Sequence, residues 1–166
     1  MYLIFDTETT GLPRSWAAPI TDTDNWPRCI QIAWQLHDAM GNLIEHQDYL
    51  VQPEGFNIPY DAEKIHGIST ELAQEQGVPL VDVLEKFNAA LNKTKFVVGQ
   101  NVGFDLNIMG AEFIRADIAN KLQEFLNTEL GVDSHVNQSV TGNDLHSQLV
   151  EDLRKSIVEE NHRSIF

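Results

Sequence analysis

MYLIFDTETTG, residues 1–11, is the stretch on which the fold turns. Leu3, Phe5 and Thr7 alternate with Ile4, Asp6 and Glu8, which is the period of a strand. Gly11 and Pro13 then break it. A strand of period two sends Asp6 and Glu8 to one face. Two neighbouring carboxylates repel, and each resists burial. A cation between them resolves both costs, and oxygen ligands of this kind suit Mg²⁺ or Mn²⁺. An Asp-x-Glu alone reads equally well as two solvated acids at an exposed strand end. Its setting favours the metal: the strand is apolar, the acids stand at its C-terminal end, and Thr-Thr-Gly follows. Open α/β sheets build their sites at such ends.

Outward from this strand, residues 12–27 hold three prolines and few aliphatics, and read as a long loop. CIQIAWQLHD (29–38) is a second strand, Gly41-Asn42 suits a tight hairpin, and LIEHQDYLVQP (43–53) is a third strand. The three form an antiparallel meander. IPYDAEKIHGIST (58–70) reads as a short helical turn followed by a loop. A helix opens at Pro79 with Leu80, Val83, Leu84, Phe87 and Leu91 on one face. KFVVG (95–99) is a short buried strand, and VGFDLNIMGAEFIR (102–115) is a helix. IANKLQEFLNTEL (118–130) predicts another helix and GVDS (131–134) a last strand. Asn143 or Asp144 caps a final helix with Leu145, Leu149, Leu153 and Ile157 on its apolar face. The order β-β-β-α-β-α-β-α predicts a mixed sheet with helices packed on its faces, in one domain.

A length of 166 residues suits one domain with a sizeable core. The formal charge of −14 argues against gripping nucleic acid with a basic face. It leaves room for an enzyme that meets phosphates through bound metal, because divalent ions invert the local potential. No apolar run approaches membrane-spanning length, and the N-terminus lacks the basic region of a signal peptide. The expected location is the cytoplasm, with no membrane partner. Cys29, the single cysteine, sits in an apolar run and is expected to be a buried structural thiol.

The second acid of interest is Asp105, in VVGQNVGFDLNIM (97–109). By itself it reads as a first-turn carboxylate favoured by the helix dipole. The strand-then-helix context lets it project beside the carboxylates of the first strand.

FDTETTG (5–11), AEKIHGIS (62–69) and GQNVGFD (99–105) together resemble, in order, motifs of the DEDD 3′–5′ exonucleases. That group includes the proofreading epsilon subunit of bacterial DNA polymerase III. The resemblance implies an α/β, ribonuclease-H-like fold: a mixed five-stranded sheet flanked by helices. It implies two-metal phosphodiester hydrolysis with two Mg²⁺ or Mn²⁺ held by Asp6, Glu8 and Asp105. In such chemistry the metals acidify the attacking water and stabilise the leaving 3′ oxygen. Thr7, Thr9 and Thr10 would line the approach of the terminal nucleotide, His66 would contact substrate, and Asn101 and Phe104 would shape the pocket. Gln100 stands where the family commonly has His, at a position that binds no metal. His37 and His46 are expected to face solvent on their strands, and His135 and His146 to be structural.

The DEDDh branch adds a fourth carboxylate and a general base in a His-x-x-x-x-Asp motif, a role suited to imidazole. His146 precedes Glu151 and Asp152, but all three lie inside the amphipathic helix. LGVDS (130–134) resembles the family's final-strand segment, LHSQLVEDL (145–153) the helix after it, and ENHRSIF (160–166) the run into the third motif. On that alignment His162 is the general base and its partner acid falls one position beyond Phe166. The plainer reading is a polar terminal histidine without a role. The expectation is a single exonuclease domain over 1–166 lacking its last C-terminal helix.

The function implied is release of nucleoside 5′-monophosphates from single-stranded 3′ ends, DNA before RNA, in proofreading or repair beside a DNA polymerase subunit. Two alternatives stand: a catalytically impaired module that binds nucleic-acid ends or a polymerase partner, and an RNA-trimming exonuclease. The loop over 12–27, next to the first motif, is expected to gate the substrate.

Overall fold

In the computed structural model, which describes residues 1–122, four strands form one sheet. They are β1 (Tyr2–Thr9), β2 (Cys29–His37), β3 (Leu43–Leu50) and β4 (Phe96–Val98), in the order β3-β2-β1-β4. The first three make the expected antiparallel meander, and β4 joins β1 in parallel. Every residue of β2 is buried, because the strand is flanked on both edges and covered on both faces. The helix expected over 118–130 is described only to Leu122 and is irregular over 118–120, and the expected strand at 131–134 and the final helix lie outside the described residues, as do His135, His146 and His162.

Four helices complete the described chain: α1 (Tyr60–His66), α2 (Thr70–Gln76), α3 (Leu80–Lys93) and α4 (Val102–Arg115). The helical turn expected within 58–70 is α1, and a second helix of seven residues, α2, follows it where no element was expected. Gly67 ends the first at φ 78°, a left-handed position that glycine occupies without strain. Ser69 starts the second by accepting the Leu72 N–H at 3.1 Å. Neither helix is long enough to display a full apolar period, so capping carried the only clear local signal.

The main core lies where α3 and α4 pack on one face of the sheet. Phe87 stands at its centre, with ring centroids 5.0 Å from Phe5, 5.4 Å from Trp34 and 6.4 Å from Phe113. Leu84, Leu91, Leu106 and Met109 fill in around it. Burying each such side chain stabilises the fold by about 1.5–3 kcal/mol. A second cluster, Ile30, Ile58, Ala62, Ile68 and Ala73, seats α1 and α2. His37, expected to face solvent, is buried instead: its Nδ1 meets the Gly41 carbonyl and its Nε2 the Gln35 side chain, each at 3.1 Å. The hairpin turn curls back over the strand end and supplies the carbonyl. Among the described residues, no helix is long and apolar enough to cross a membrane.

Candidate active site

β4 pairs with only the first half of β1, Tyr2 to Ile4. Beyond Val98 the chain must leave the sheet without burying the rest of that edge. It does so at Gly99, where an added Cβ would lie 3.2 Å from the Phe5 carbonyl oxygen and 3.1 Å from Val102 Cβ. That approach is too close for most side chains. Asn101 then adopts φ 53°, a left-handed conformation that asparagine tolerates, and its side chain makes no cap hydrogen bond. The turn aims the start of α4 at the exposed edge of β1.

Asp105, in the first turn of α4, takes the place of the missing strand. Its Oδ1 accepts the Thr7 backbone N–H at 3.0 Å and the Thr7 hydroxyl at 2.6 Å. The ladder donor that β4 leaves unpaired is thus satisfied by a carboxylate. Asp105 is buried, and burial pushes its carboxyl up to about 8, with the neighbouring Asp6 charge adding to the effect and the Thr7 bonds opposing it.

On β1 itself the alternation holds. Thr7 and Thr9 are buried, while Asp6 and Glu8 are half-buried on the other face. The β1–β2 register slips beside them: Glu8 faces Gln31 and Thr9 faces Cys29, leaving Ile30 as a bulge. Bulges of this kind re-aim side chains at site edges. Among the described residues, no three His, Cys, Asp or Glu side chains form a closed metal-binding group. The donor chemistry nonetheless fits a hard divalent cation: all three groups are carboxylates, and Asp105 ionises only at a cost that a cation would remove.

His66 reaches the same strand end from α1. Its Nδ1 accepts the Ile68 N–H at 3.0 Å, which fixes the neutral tautomer with hydrogen on Nε2. That Nε2 is buried without a well-formed hydrogen bond. Burial lowers the imidazole's pKa, and the nearby Thr9 backbone partly opposes the shift. The Thr9 hydroxyl donates to the Gly11 carbonyl at 2.7 Å, and Thr10 Oγ1 accepts the Arg28 N–H at 2.9 Å. Both threonines therefore shape the turn. Phe104 packs under Trp16 with ring centroids 5.6 Å apart, bringing the 12–27 loop over the start of α4.

The loop is fastened by a brace that the sequence reading missed. Glu112 is fully buried, accepts the Cys29 N–H at 2.8 Å and the Arg28 Nε at 2.9 Å, and pairs with Arg115 Nη1 at 3.1 Å. Arg115 Nη2 also donates to the carbonyls of Thr23 and Trp26. The signal was available: Glu112 lies seven residues after Asp105, on the same buried face of α4. A carboxylate repeating at that spacing among Ile108, Met109 and Phe113 requires a buried partner. Cys29 is buried as expected, and burial together with Glu112 raises its thiol well above the ordinary range, which keeps it inert.

The structure thus brings Asp105 against Thr7 and His66 beside Thr9 at the C-terminal half of β1, which also carries Asp6 and Glu8 and leads into Thr10, while Asn101 and Phe104 open α4 and Phe104 packs on Trp16. The RNase T Exonuclease family matches residues 3–165 of the chain. The PolC-type DNA polymerase III of Streptococcus pyogenes serotype M2 (strain MGAS10270) is 32% identical over 127 residues, 76% of this chain and 8% of that protein. The serotype M5 (strain Manfredo) polymerase matches to the same extent. This chain therefore spans a small part of the length of those relatives. Among solved structures, E. coli Exonuclease I with a dA16 oligonucleotide superposes with a TM-score of 0.60 at 22% identity, over 72% of this chain and 25% of that one. The same enzyme with dT13 gives 0.58 at 23% identity, over 70% and 24%. These structures share the ribonuclease-H-like fold. With a match that covers nearly its whole length, the chain belongs to the Exonuclease family, among the DEDDh-type 3′–5′ exonucleases.

Proposed function

We propose that the chain is a metal-dependent 3′–5′ exonuclease that releases nucleoside 5′-monophosphates from single-stranded DNA ends, in proofreading or repair. One observation carries this reading: Asp105 is locked to Thr7, between Asp6 and Glu8 on β1. Asp6, Glu8 and Asp105 would hold two Mg²⁺ or Mn²⁺ ions, which when bound supply Lewis-acid stabilisation and a nucleophile at neutral pH. Thr7 orients the Asp105 carboxylate through two donors. His66, held by Ile68 as a neutral donor, meets the terminal nucleotide beside Thr9 and Thr10, while Asn101 and Phe104 form the opposite wall. His162 is assigned as the general base, on the resemblance of ENHRSIF (160–166) to the run into the family's third motif.

The similar proteins support DNA and a polymerase connection: one group are DNA polymerases, and Exonuclease I is solved with oligonucleotides. The test is release of labelled mononucleotide from a 3′-labelled single strand in Mg²⁺ or Mn²⁺. The expected product is mononucleotide from the first time point. Binding without release would instead establish an impaired end-binding module, and preference for an RNA strand would establish an RNA-trimming enzyme.

A further inference from the structure

Three arginines occur in residues 1–122, and all of them line one cleft. Arg14, Arg28 and Arg115 border an open cavity of about 540 Å³ with Thr10, Asp24 and Trp26. In a chain of formal charge −14 this convergence runs against the overall composition. Asp24 and the buried Glu112 offset part of the charge, and the cleft remains net positive.

The arginines divide the work. Arg115 is turned inward, bound to Glu112 and to the Thr23 and Trp26 carbonyls, and builds the wall. Arg28 is anchored to Glu112 through Nε and lies over Phe56, with Cζ 4.3 Å from the ring centroid. Those contacts do not use its Nη donors, so a pre-set fork remains for an oxyanion. Arg14 is exposed, on a loop whose backbone is pinned by the Arg14 N–H to the Asn25 carbonyl at 3.2 Å.

The cleft is continuous with the first motif. Thr10 N–H donates to the Arg28 carbonyl at 3.0 Å, and Arg28 N–H donates to Thr10 Oγ1 at 2.9 Å. Asp105 and Arg115 stand near opposite ends of α4, about 15 Å apart along its axis. A strand whose last nucleotide sits at Asp105 reaches that distance within a few nucleotides.

We propose that this cleft is an upstream phosphate subsite, in which Arg14 and Arg28 hold backbone phosphodiesters of a single strand whose 3′ end lies at Asp6 and Asp105. The assignment rests on the exonuclease reading above. It resolves the conflict between an acidic chain and a polyanionic substrate with a local basic track. A free nucleotide carries the same phosphate chemistry, and the test separates the two sources.

The test is fluorescence anisotropy with 5′-labelled oligothymidylates from dinucleotide to octanucleotide, in Ca²⁺, with a phosphorothioate at the 3′-terminal linkage. The proteins are the parent, Arg14→Glu, and Arg28→Lys, which keeps a charge for Glu112 and loses the fork. For the octanucleotide, affinity should fall about tenfold in Arg14→Glu and several-fold in Arg28→Lys. The slope of log affinity against log salt should become shallower by about 0.7 for each lost phosphate contact. Dinucleotide affinity should be unchanged. Octanucleotide binding equal to the parent in both variants overturns the subsite, as does equal weakening for dinucleotide and octanucleotide. If thymidine 5′-monophosphate loses affinity in Arg14→Glu as the octanucleotide does, the cleft takes free nucleotide and the strand assignment is overturned. If the arginine dependence appears but the parent releases no mononucleotide in Mg²⁺, the subsite stands and the exonuclease reading falls.

Discussion

Asp105 and Thr7 are joined twice, by a backbone N–H at 3.0 Å and a hydroxyl at 2.6 Å, across 98 residues of sequence. The pair closes the edge of β1 that β4 leaves open, and it brings a carboxylate from the second motif against the first. Fold and candidate site therefore share one contact. Thr7→Val removes the hydroxyl bond while keeping the shape. Stability should fall by about 0.5–1.5 kcal/mol, the range for a hydrogen bond to an uncharged acceptor, because Asp105 keeps its proton at neutral pH. Urea denaturation at neutral pH measures it.

The pH dependence follows from the same carboxylate. The Asp105 pKa rises from an ordinary 3.8 to about 8 on folding, so the folded state holds its proton more tightly than the unfolded chain does. Its contribution is fully present below about 4 and is lost as pH climbs towards 8. Asp105→Asn removes that slope and keeps an acceptor for Thr7. In EDTA, the variant should gain on the parent by a few kcal/mol, in order of magnitude, between pH 5 and pH 8. Divalent cation should narrow the gap by stabilising the parent alone. A constant difference across that pH range would refute the assignment of the shift to Asp105.

Glu112 is the keystone of the loop. Glu112→Gln keeps an acceptor for the Cys29 N–H and strips both arginines of their buried counter-charge. Breaking a buried pair in this way costs about 3–5 kcal/mol. Thermal denaturation should register the loss, and limited proteolysis should open new cuts within 12–27. Unchanged cleavage there would show that the loop is held by Trp26 and Asn25 instead.

His66 offers a check on the substrate side. His66→Ala removes a half-buried ring whose fold contribution is one bond to the Ile68 N–H. Cleavage of a single strand should drop about 10- to 100-fold, the rate equivalent of one lost hydrogen bond to a charged group at about 1.5–3 kcal/mol. The melting temperature should move by only a few degrees. A large loss of stability with unchanged cleavage would make His66 a structural residue.

The sequence made part of this legible and hid the rest for physical reasons. The alternation in β1 and the apolar period of α3 were strong because those elements bury one face against the core. α2 was missed because seven residues are too few to show a period, although Ser69 marks its start. His37 was misplaced because its burial depends on the Gly41 carbonyl, which the hairpin brings back over the strand. Asp6, Glu8 and Asp105 stood out as carboxylates in apolar surroundings. Arg28, Glu112 and Arg115 did not, because their meaning comes from a contact between β2 and α4 separated by more than 80 residues.

The β1 carboxylates and Asp105 are proposed as one metal-dependent hydrolytic site. The most direct measurement is the rate of mononucleotide release from a 3′-labelled single strand in Mg²⁺, compared between the parent and Asp6→Ala. Release by the parent is expected, with a loss of about a thousandfold or more in the variant, the rate equivalent of several kcal/mol of lost charge stabilisation. Asp6→Ala cleaving as fast as the parent would contradict it.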